Sequence, residues 1–234
     1  MRSSDAERRA EGRKVRFGGL RTPDGFLFEL TGGRLCLDLA NTLDSRPTPE
    51  PLELLPRYED LVSWGVQAGA VDEAVARGLR RHAGSRPRAA ARALAKARRG
   101  REAIFAIFSA VARGQAPPSA AMAELNALLP AALSARRVAE RGSGYAWEWT
   151  EGDPPELDRV VWPALVSAAE LLTSLTSGEL GRVRVCAGEG CAWLFLDRSR
   201  NGSRRWCDMT VCGNRTKARR HYAKSKGRGV RRPA

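Results

Sequence analysis

Residues 186–224, CAGEGCAWLFLDRSRNGSRRWCDMTVCGNRTKARRHYAK, hold four of the five cysteines of the chain. The cysteines form two pairs with four residues between the members of each, and fifteen residues separate the pairs. Zinc prefers four ligands in a tetrahedron, and two close pairs joined by a short excursion can supply them. Because four thiolates leave no coordination position for water, the spacing predicts one structural zinc ion per chain. The predicted ligands are Cys186, Cys191, Cys207 and Cys212.

The residues around these cysteines predict a treble-clef-like zinc finger. Trp193–Asp197 and Arg204–Cys207 have strand character, and Asn201-Gly202 between them is a typical hairpin turn. From about Asn214 onward the residues favour a helix. A loop with the first cysteine pair, a hairpin, and a second pair leading into a helix is the treble-clef arrangement.

The helix that follows the last cysteine is predicted to have an apolar arc and a cationic arc. Projected as an α-helix, Val211, Ala218 and Tyr222 share the apolar arc. We expect this arc to pack on Trp193 and Phe195. The opposite arc and its flanks are cationic, and the predicted hairpin adds further positive charge. The residues predicted to bind nucleic acid are Arg204, Arg205, Arg215, Lys217, Arg219, Arg220 and Lys224.

These cations are expected to have two roles. Lys217, Arg220 and Lys224 share one arc and, together with Arg204 and Arg205, are expected to contact phosphates. Arg215 or Arg219 lies near the helix start, from which side chains commonly reach base edges. Arg215 also has a structural alternative, because it closely follows a zinc ligand and could brace the loop. For the whole set, the alternative is a solvated charged helix.

The distribution of charge along the chain supports a polyanionic partner. The formal net charge is +14. Residues 182–234 contain 15 Lys/Arg and 3 Asp/Glu, a net charge of +12, whereas residues 1–181 contain 25 and 23, a net charge of +2. Such asymmetry favours nucleic acid as the partner.

Upstream of the finger, the sequence predicts a mainly α-helical domain with small β elements. At 43% hydrophobic residues, the chain can bury a sizeable core. Leu35–Leu43 fits both strand and helix periodicity, and its Gly-Gly start and Ala40 favour a helix. The other predicted elements are a short strand near Phe26–Leu30, helices at Tyr58–Ala68, Asp72–Ala83, Arg86–Ala112, around Met122–Leu129 and from Pro155 to about Ser177, and a hairpin of Val138–Arg141 with Tyr145–Thr150.

These patterns divide the chain into four parts. They are a flexible basic arm (residues 1–22), the helical domain (23–180), the zinc finger (183–226) and a basic tail (227–234). Gly178–Gly181 predicts a hinge before the finger. The first 21 residues lack the apolar segment of a secretory signal, and no apolar run is long enough to span a membrane. We therefore expect a cytoplasmic protein.

Two motifs resemble known families. Cys212-Gly213-Asn214-Arg215, with the upstream cysteines and Arg205-Trp206-Cys207, resembles the CGNR zinc finger. Residues 32–43, GGRLCLDLANTL, are similar to the ABATE domain that usually precedes this finger. The resemblance implies a stress-induced transcription regulator, with DNA bound by the finger and an effector or interaction role for the helical domain.

Three polar residues of the helical domain raise the question of an effector site. Asp38, Asn41 and Arg46 lie near an apolar segment and could line a small-molecule pocket. Alternatively, Asp38 and Asn41 make structural hydrogen bonds to loop backbone. Cys36 stands alone in an apolar run and is expected to be a core residue.

The leading hypothesis is a DNA-binding regulator, and the alternative is an RNA-binding or protein-interaction zinc module. RNA single strands favour exposed aromatic side chains, whereas the tryptophans and phenylalanine of the finger are expected in its small core. An enzyme is not expected, because the sequence has no phosphate loop, nucleophile motif or histidine-based metal site. A homodimer is plausible, since a single finger makes few base contacts.

Overall fold

The computed structural model of the chain describes residues 18–22, 25–150, 152, 154–174, 178–219 and 222. Within this part, helices form the body of the molecule, in agreement with the predicted mainly α class. The helices are α1 (Leu35–Ala40), α2 (Tyr58–Gln67), α3 (Glu73–Ser85), α4 (Pro87–Ala112), α5 (Ser119–Ser134), α6 (Trp162–Thr173) and α7 (residues 214–219).

The described strands form four separate antiparallel pairs, each of two strands. In chain order they are β1 (Gly19–Thr22) with β2 (Gly25–Phe28), β3 (Leu43–Asp44) with β4 (Leu52–Glu53), β5 (Arg136–Arg141) with β6 (Gly144–Trp149), and β7 (Val183–Val185) with β8 (Leu194–Leu196).

Four residues that were assigned to the predicted N-terminal arm form a strand. These residues, 19–22, form β1, which pairs with β2 from Gly19↔Phe28 to Thr22↔Gly25. The side chain of Gln67 holds this hairpin on α2, because it accepts from Phe28 N at 2.9 Å and donates to Phe26 O at 2.7 Å. Residues 1–17 of the predicted arm lie outside the described residues.

The helix predicted from Pro155 begins later, at Trp162. It is preceded by a 3₁₀ turn at Leu157–Val160. The hydroxyl of Tyr58 on α2 donates to the carbonyl of Leu157 at 2.6 Å. The hydrogen-bond partner of this carbonyl is thus a residue outside the 3₁₀ turn. A separate short turn therefore precedes the regular helix.

The core of the helical domain includes two strands of the zinc finger. Trp64 of α2 and Phe108 of α4 are among its largest fully buried side chains. Val183, Leu194 and Leu196 belong to the same continuous apolar cluster. β7 packs against α4, and β8 packs against α1. These two strands of the finger thus form one side of the hydrophobic core of the helical domain.

This arrangement overturns the hinge predicted at Gly178–Gly181. A 3₁₀ turn at Leu180–Arg182 leads directly into β7. On the other strand, Leu196 N donates to Gly32 O at 2.8 Å. The sequence predicted a hinge because this segment contains two glycines. The contacts that fix the segment come from residues distant along the chain.

Among the described residues, no helix is both long and apolar enough to cross a membrane.

Candidate metal centre and its surroundings

Two elements bring the four predicted zinc ligands together. The turn between β7 and β8 carries Cys186 and Cys191, and the segment before α7 carries Cys207 and Cys212. All four Sγ atoms are buried and lie within 4.8 Å of one another. The Cys191–Cys207 and Cys207–Cys212 Sγ distances are 3.6 and 3.7 Å.

These distances fit zinc. Four sulfurs at about 2.3 Å from a tetrahedral zinc ion lie about 3.8 Å apart. The four cysteines can therefore hold one zinc ion, as predicted. Four thiolates would fill the tetrahedral coordination shell and leave no position for a water molecule. This is the arrangement of a structural site, in which the ion would cross-link the strand turn to the helix start.

Backbone groups complete the surroundings of the sulfurs. The N–H groups of Gly188 and Cys207 point at Cys186 Sγ, with N–S distances of 3.4 and 3.3 Å. A side chain at Gly188 would crowd the metal site, because a Cβ there would lie 3.1 Å from Cys212 Sγ. Gly190 has a φ of +74°, which suits glycine in the turn between the first two ligands.

Arg215 lies against the metal site. Its guanidinium donates to Cys212 Sγ at an N–S distance of 3.4 Å. Arg215 also acts on Asp44: burial raises the pKa of Asp44, and hydrogen bonds from Ser45 and the positive charge of Arg215 oppose that rise. The structural alternative for Arg215 was bracing of the loop through backbone carbonyls, whereas the contact observed is with a ligand sulfur.

The hairpin predicted across Asn201-Gly202 is absent from the described finger. β8 pairs with β7, in the register Val183↔Leu196 to Val185↔Leu194, and residues 204–207 form no strand. The cause is Asp197. Its Oδ1 accepts from Ser199 N at 2.9 Å, and its Oδ2 accepts from Arg204 N at 3.0 Å. These bonds shape the segment into a loop closed by a side chain.

Arg204, predicted to contact phosphates, is bound inside the finger. Its Nε donates to Trp206 O at 2.9 Å, and a second nitrogen donates to Cys207 O. Its guanidinium carbon lies 4.6 Å from the ring centre of Phe195. The guanidinium of this half-buried side chain therefore holds the segment that carries a zinc ligand.

The final helix starts near Asn214, as predicted, but its apolar arc packs differently from the expectation. A π-helical turn at Met209–Gly213 precedes it, and Asp208 Oδ1 accepts from Val211 N at 2.8 Å. Val211 is half-buried, but Ala218 and Tyr222 are exposed, so the expected apolar arc does not pack on the finger core. The cluster of four cysteines fills the space beside Trp193 and Phe195 instead, together with Trp206.

The remaining predicted nucleic-acid contacts divide into described and undescribed residues. Arg205, Lys217 and Arg219 are exposed. Arg219 pairs with Glu189 across the first cysteine loop, and the guanidinium carbon of Arg205 lies 5.7 Å from the ring centre of Trp206. Arg220 and Lys224 lie outside the described residues.

The three residues considered for a ligand pocket make structural contacts. Asp38 Oδ1 accepts from Gly32 N at 2.8 Å. Asn41 makes two hydrogen bonds to the backbone of Leu194. Arg46 pairs with Glu102, donates to Ala40 O at 3.0 Å, and stacks 3.9 Å from the ring centre of Phe105. The geometry matches the alternative of hydrogen bonds to backbone.

Cys36 is fully buried in the apolar cluster, as expected. Burial raises the pKa of its thiol to about 12, against a hydrogen bond from Ser167 that lowers it. It therefore stays a neutral thiol and a core residue.

Sequence reasoning missed the polar residues that support the metal site. Asp197 and Arg204 position the loop before the third ligand, and Asp44 comes from the helical domain. An Asp followed two residues later by Ser is a weak turn signal that could have marked the Asp197 loop. No local pattern connects Asp44 with Arg215, because they are far apart in the chain.

The fold and the site define a class: a helical domain completed by a closed four-cysteine zinc finger. Comparison with family models gives the family. Residues 33–175 match ABATE, described as "Putative stress-induced transcription regulator", and residues 182–225 match the CGNR zinc finger. The chain belongs to the ABATE family and carries a CGNR zinc finger at residues 182–225. The resemblance seen in the sequence is confirmed. No curated protein matches the chain.

Proposed function

We propose that this protein is a DNA-binding transcription regulator, in which the zinc finger contacts duplex DNA. The helical domain would serve as an effector or interaction domain. The zinc ion is structural in this proposal, because four thiolates leave no site for a catalytic water. The protein would then act without enzymatic activity and in the cytoplasm.

The observation that carries the proposal is the set of exposed cations on the finger. Arg200, Arg205 and Lys217 are exposed, and none of them forms an ion pair with a described residue. They belong to a segment, residues 182–234, whose net charge is +12. Charge held outward on a rigid metal-bound scaffold suits the phosphate backbone of nucleic acid.

The placement of aromatic side chains favours duplex DNA over single-stranded RNA. Trp193 and Phe195 are buried beside the cysteines, and Trp206 is half-buried against them. Only Tyr222 is an exposed aromatic among the described residues of the finger. Single-stranded nucleic acid is usually bound by several exposed rings on which bases stack.

The test is the binding of a finger variant to duplex DNA. The finger variant carries Arg200→Ala, Arg205→Ala and Lys217→Ala, which leave the cysteines and their hydrogen bonds intact. Dissociation constants for a 30-base-pair duplex, measured by fluorescence anisotropy at four salt concentrations, give the slope of log K against log salt. Each lost phosphate contact should reduce the magnitude of this slope by about 0.9, or about 2.7 for three.

A control variant removes the same charge from the helical domain. It carries Arg113→Ala, Arg137→Ala and Arg141→Ala, all at exposed positions. We expect the control variant to bind DNA nearly as the parent does. If the zinc-loaded finger variant keeps the affinity and salt slope of the parent, the finger is not the DNA surface. Tighter binding of single-stranded RNA than of duplex DNA would favour the alternative function.

A further inference from the structure

A second concentration of positive charge lies in the helical domain. Residues 73–102 contain ten Lys/Arg and two Asp/Glu, a net charge of +8. Since residues 1–181 together have a net charge of +2, the rest of this region has a net charge of −6. The small net charge of this region therefore hides a strong local excess of positive charge in residues 73–102.

Ion pairs occupy half of these ten cations. Arg80 pairs with Glu59 and Glu73. The other four paired cations contact carboxylates elsewhere in the domain: Lys96 with Asp158, Arg98 with Glu53, Arg99 with Glu124, and Arg101 with Glu53 and Glu102.

The other five are exposed, and their side chains make no ion pair or hydrogen bond within the described part of the chain. We call them the arginine corner. Its members are Arg77, Arg81, Arg86, Arg88 and Arg92.

The arginine corner lies on α3, on α4 and at the junction between these two consecutive helices. Arg77 and Arg81 are four residues apart on α3, and Arg88 and Arg92 are four residues apart on α4. Residues at this spacing lie on the same face of a helix, about 6 Å apart along its axis. Arg86 lies between the two helices, and a cleft of about 320 Å³ beside it is lined by both Arg86 and Arg92.

This arrangement is unfavourable for the isolated molecule. Like charges four residues apart destabilise a helix, and both helices carry such a pair. Glu156 lines the same cleft as Arg86 and Arg92, but none of the five arginines forms an ion pair with a described carboxylate. A polyanion at the corner would relieve it, and the arginine guanidinium is well suited to binding phosphate oxygens.

We propose that the arginine corner is a second contact surface for the phosphate backbone of duplex DNA. This inference rests on the proposed function, because it assigns the same polyanion to a second surface. The corner would add affinity without sequence preference, since phosphate contacts carry no sequence information. It lies on α3 and α4, outside the finger, so its contribution is separable by mutation.

The test is a corner variant with Arg81→Ala, Arg88→Ala and Arg92→Ala. Alanine is the strongest helix former, so these exposed positions should remain helical, which circular dichroism checks. Binding to two unrelated 30-base-pair duplexes is measured at four salt concentrations. We expect weaker binding to both duplexes, and a salt slope smaller in magnitude by about 2.7. Between 50 and 200 mM salt, the affinity of the variant should then fall about 40-fold less than that of the parent.

The control variant, which loses the same charge, separates a local contact from a general effect of net charge. If the corner variant binds DNA as the control variant does, the inference is overturned. The finger variant distinguishes this failure from failure of the proposed function. If only the finger variant loses affinity for duplex DNA, the proposed function stands and the arginine corner is not a DNA contact. If only the corner variant loses affinity for duplex DNA, the arginine corner is a DNA contact and the finger is not the DNA surface.

Discussion

The side-chain amide of Asn41 makes both of its hydrogen bonds to the backbone of Leu194. Its Nδ2 donates to Leu194 O at 2.9 Å, and its Oδ1 accepts from Leu194 N at 2.8 Å. Both residues are buried. Asn41 immediately follows α1, and Leu194 begins β8, so one amide joins the helical domain to the zinc finger.

We predict that Asn41→Ala destabilises the protein by roughly 2–4 kcal/mol, because a buried N–H and a buried C=O both lose their partner. The free energy of unfolding is measured by urea denaturation of the zinc-loaded protein. Asn126→Ala, at an exposed position on α5, is the matched control and should change it by less than about 0.5 kcal/mol. A loss in Asn41→Ala no larger than in the control would show that the amide bonds contribute little.

Removal of zinc should weaken the helical domain as well as the finger. Leu194 and Leu196 of β8 lie in the domain core, so a finger that unfolds withdraws them from α1. We predict that Cys207→Ser loses stoichiometric zinc and shows faster amide hydrogen exchange in α1, measured by mass spectrometry. Exchange in α1 that stays at the parent rate after zinc loss would mean that the two parts are stable separately.

Cys36→Ala is the control for zinc content. Cys36 lies in the apolar core of the helical domain and outside the metal cluster. Elemental analysis should find one zinc per chain in this variant and in the parent. A substoichiometric value for Cys36→Ala, in protein that remains folded, would contradict the ligand assignment.

Arg215 should affect zinc more than sequence preference. Because its guanidinium donates to Cys212 Sγ, Arg215→Ala should lower zinc affinity by about 10-fold or more, as losses around metal ligands typically do. Competition with a chromophoric chelator measures the affinity. Lys217→Ala, an exposed neighbour in α7, should keep the zinc affinity of the parent. Unchanged zinc affinity in Arg215→Ala, with an altered preferred DNA sequence, would instead support base contact.

Asp38 should give the protein a distinct pH dependence. Burial raises the pKa of Asp38 to about 6, and the hydrogen bond from Gly32 opposes the rise. A carboxyl that holds its proton more tightly in the fold stabilises the fold below about pH 4, and this stability is lost as the pH rises to about 6. We predict that Asp38→Asn raises the free energy of unfolding at pH 7 by up to about 3 kcal/mol, and has little effect near pH 4.

Urea denaturation at the two pH values checks this prediction. Asparagine keeps an oxygen that can accept from Gly32 N, whereas Asp38→Ala removes the acceptor and should destabilise the protein at both pH values. If Asp38→Asn is less stable than the parent at pH 7, the ionised carboxylate contributes favourably and the argument from burial is wrong.

Short-range patterns in the sequence were sufficient for the metal ligands and for helices α2, α3 and α4. The spacing of Cys186, Cys191, Cys207 and Cys212 restricts the geometry by itself, because each pair must reach one ion. Helices α2, α3 and α4 begin and end within about two residues of the predicted limits, since capping and periodicity are local signals.

The strand partners and the side-chain supports could not be predicted in the same way. Val183–Val185 is too short to give a clear strand pattern, and its partner strand was predicted to pair with Arg204–Cys207 across the Asn201-Gly202 turn instead. The burial of Leu194 in the helical core depends on contacts with residues distant in sequence. Arg204 resembles any surface arginine in the sequence, and only the fold shows that its guanidinium binds backbone carbonyls.

The shared core has a consequence for the order in which the protein folds during synthesis. Ribosomes add residues from the N-terminus, at about 5–20 residues per second, and early domains usually fold first. Here α1 and α4 are made long before β7 and β8, which supply Val183, Leu194 and Leu196 to the same core. The core of the helical domain therefore stays incomplete until β7 and β8 are synthesised and the metal is bound. Until then, part of its apolar surface is exposed and accessible to chaperones.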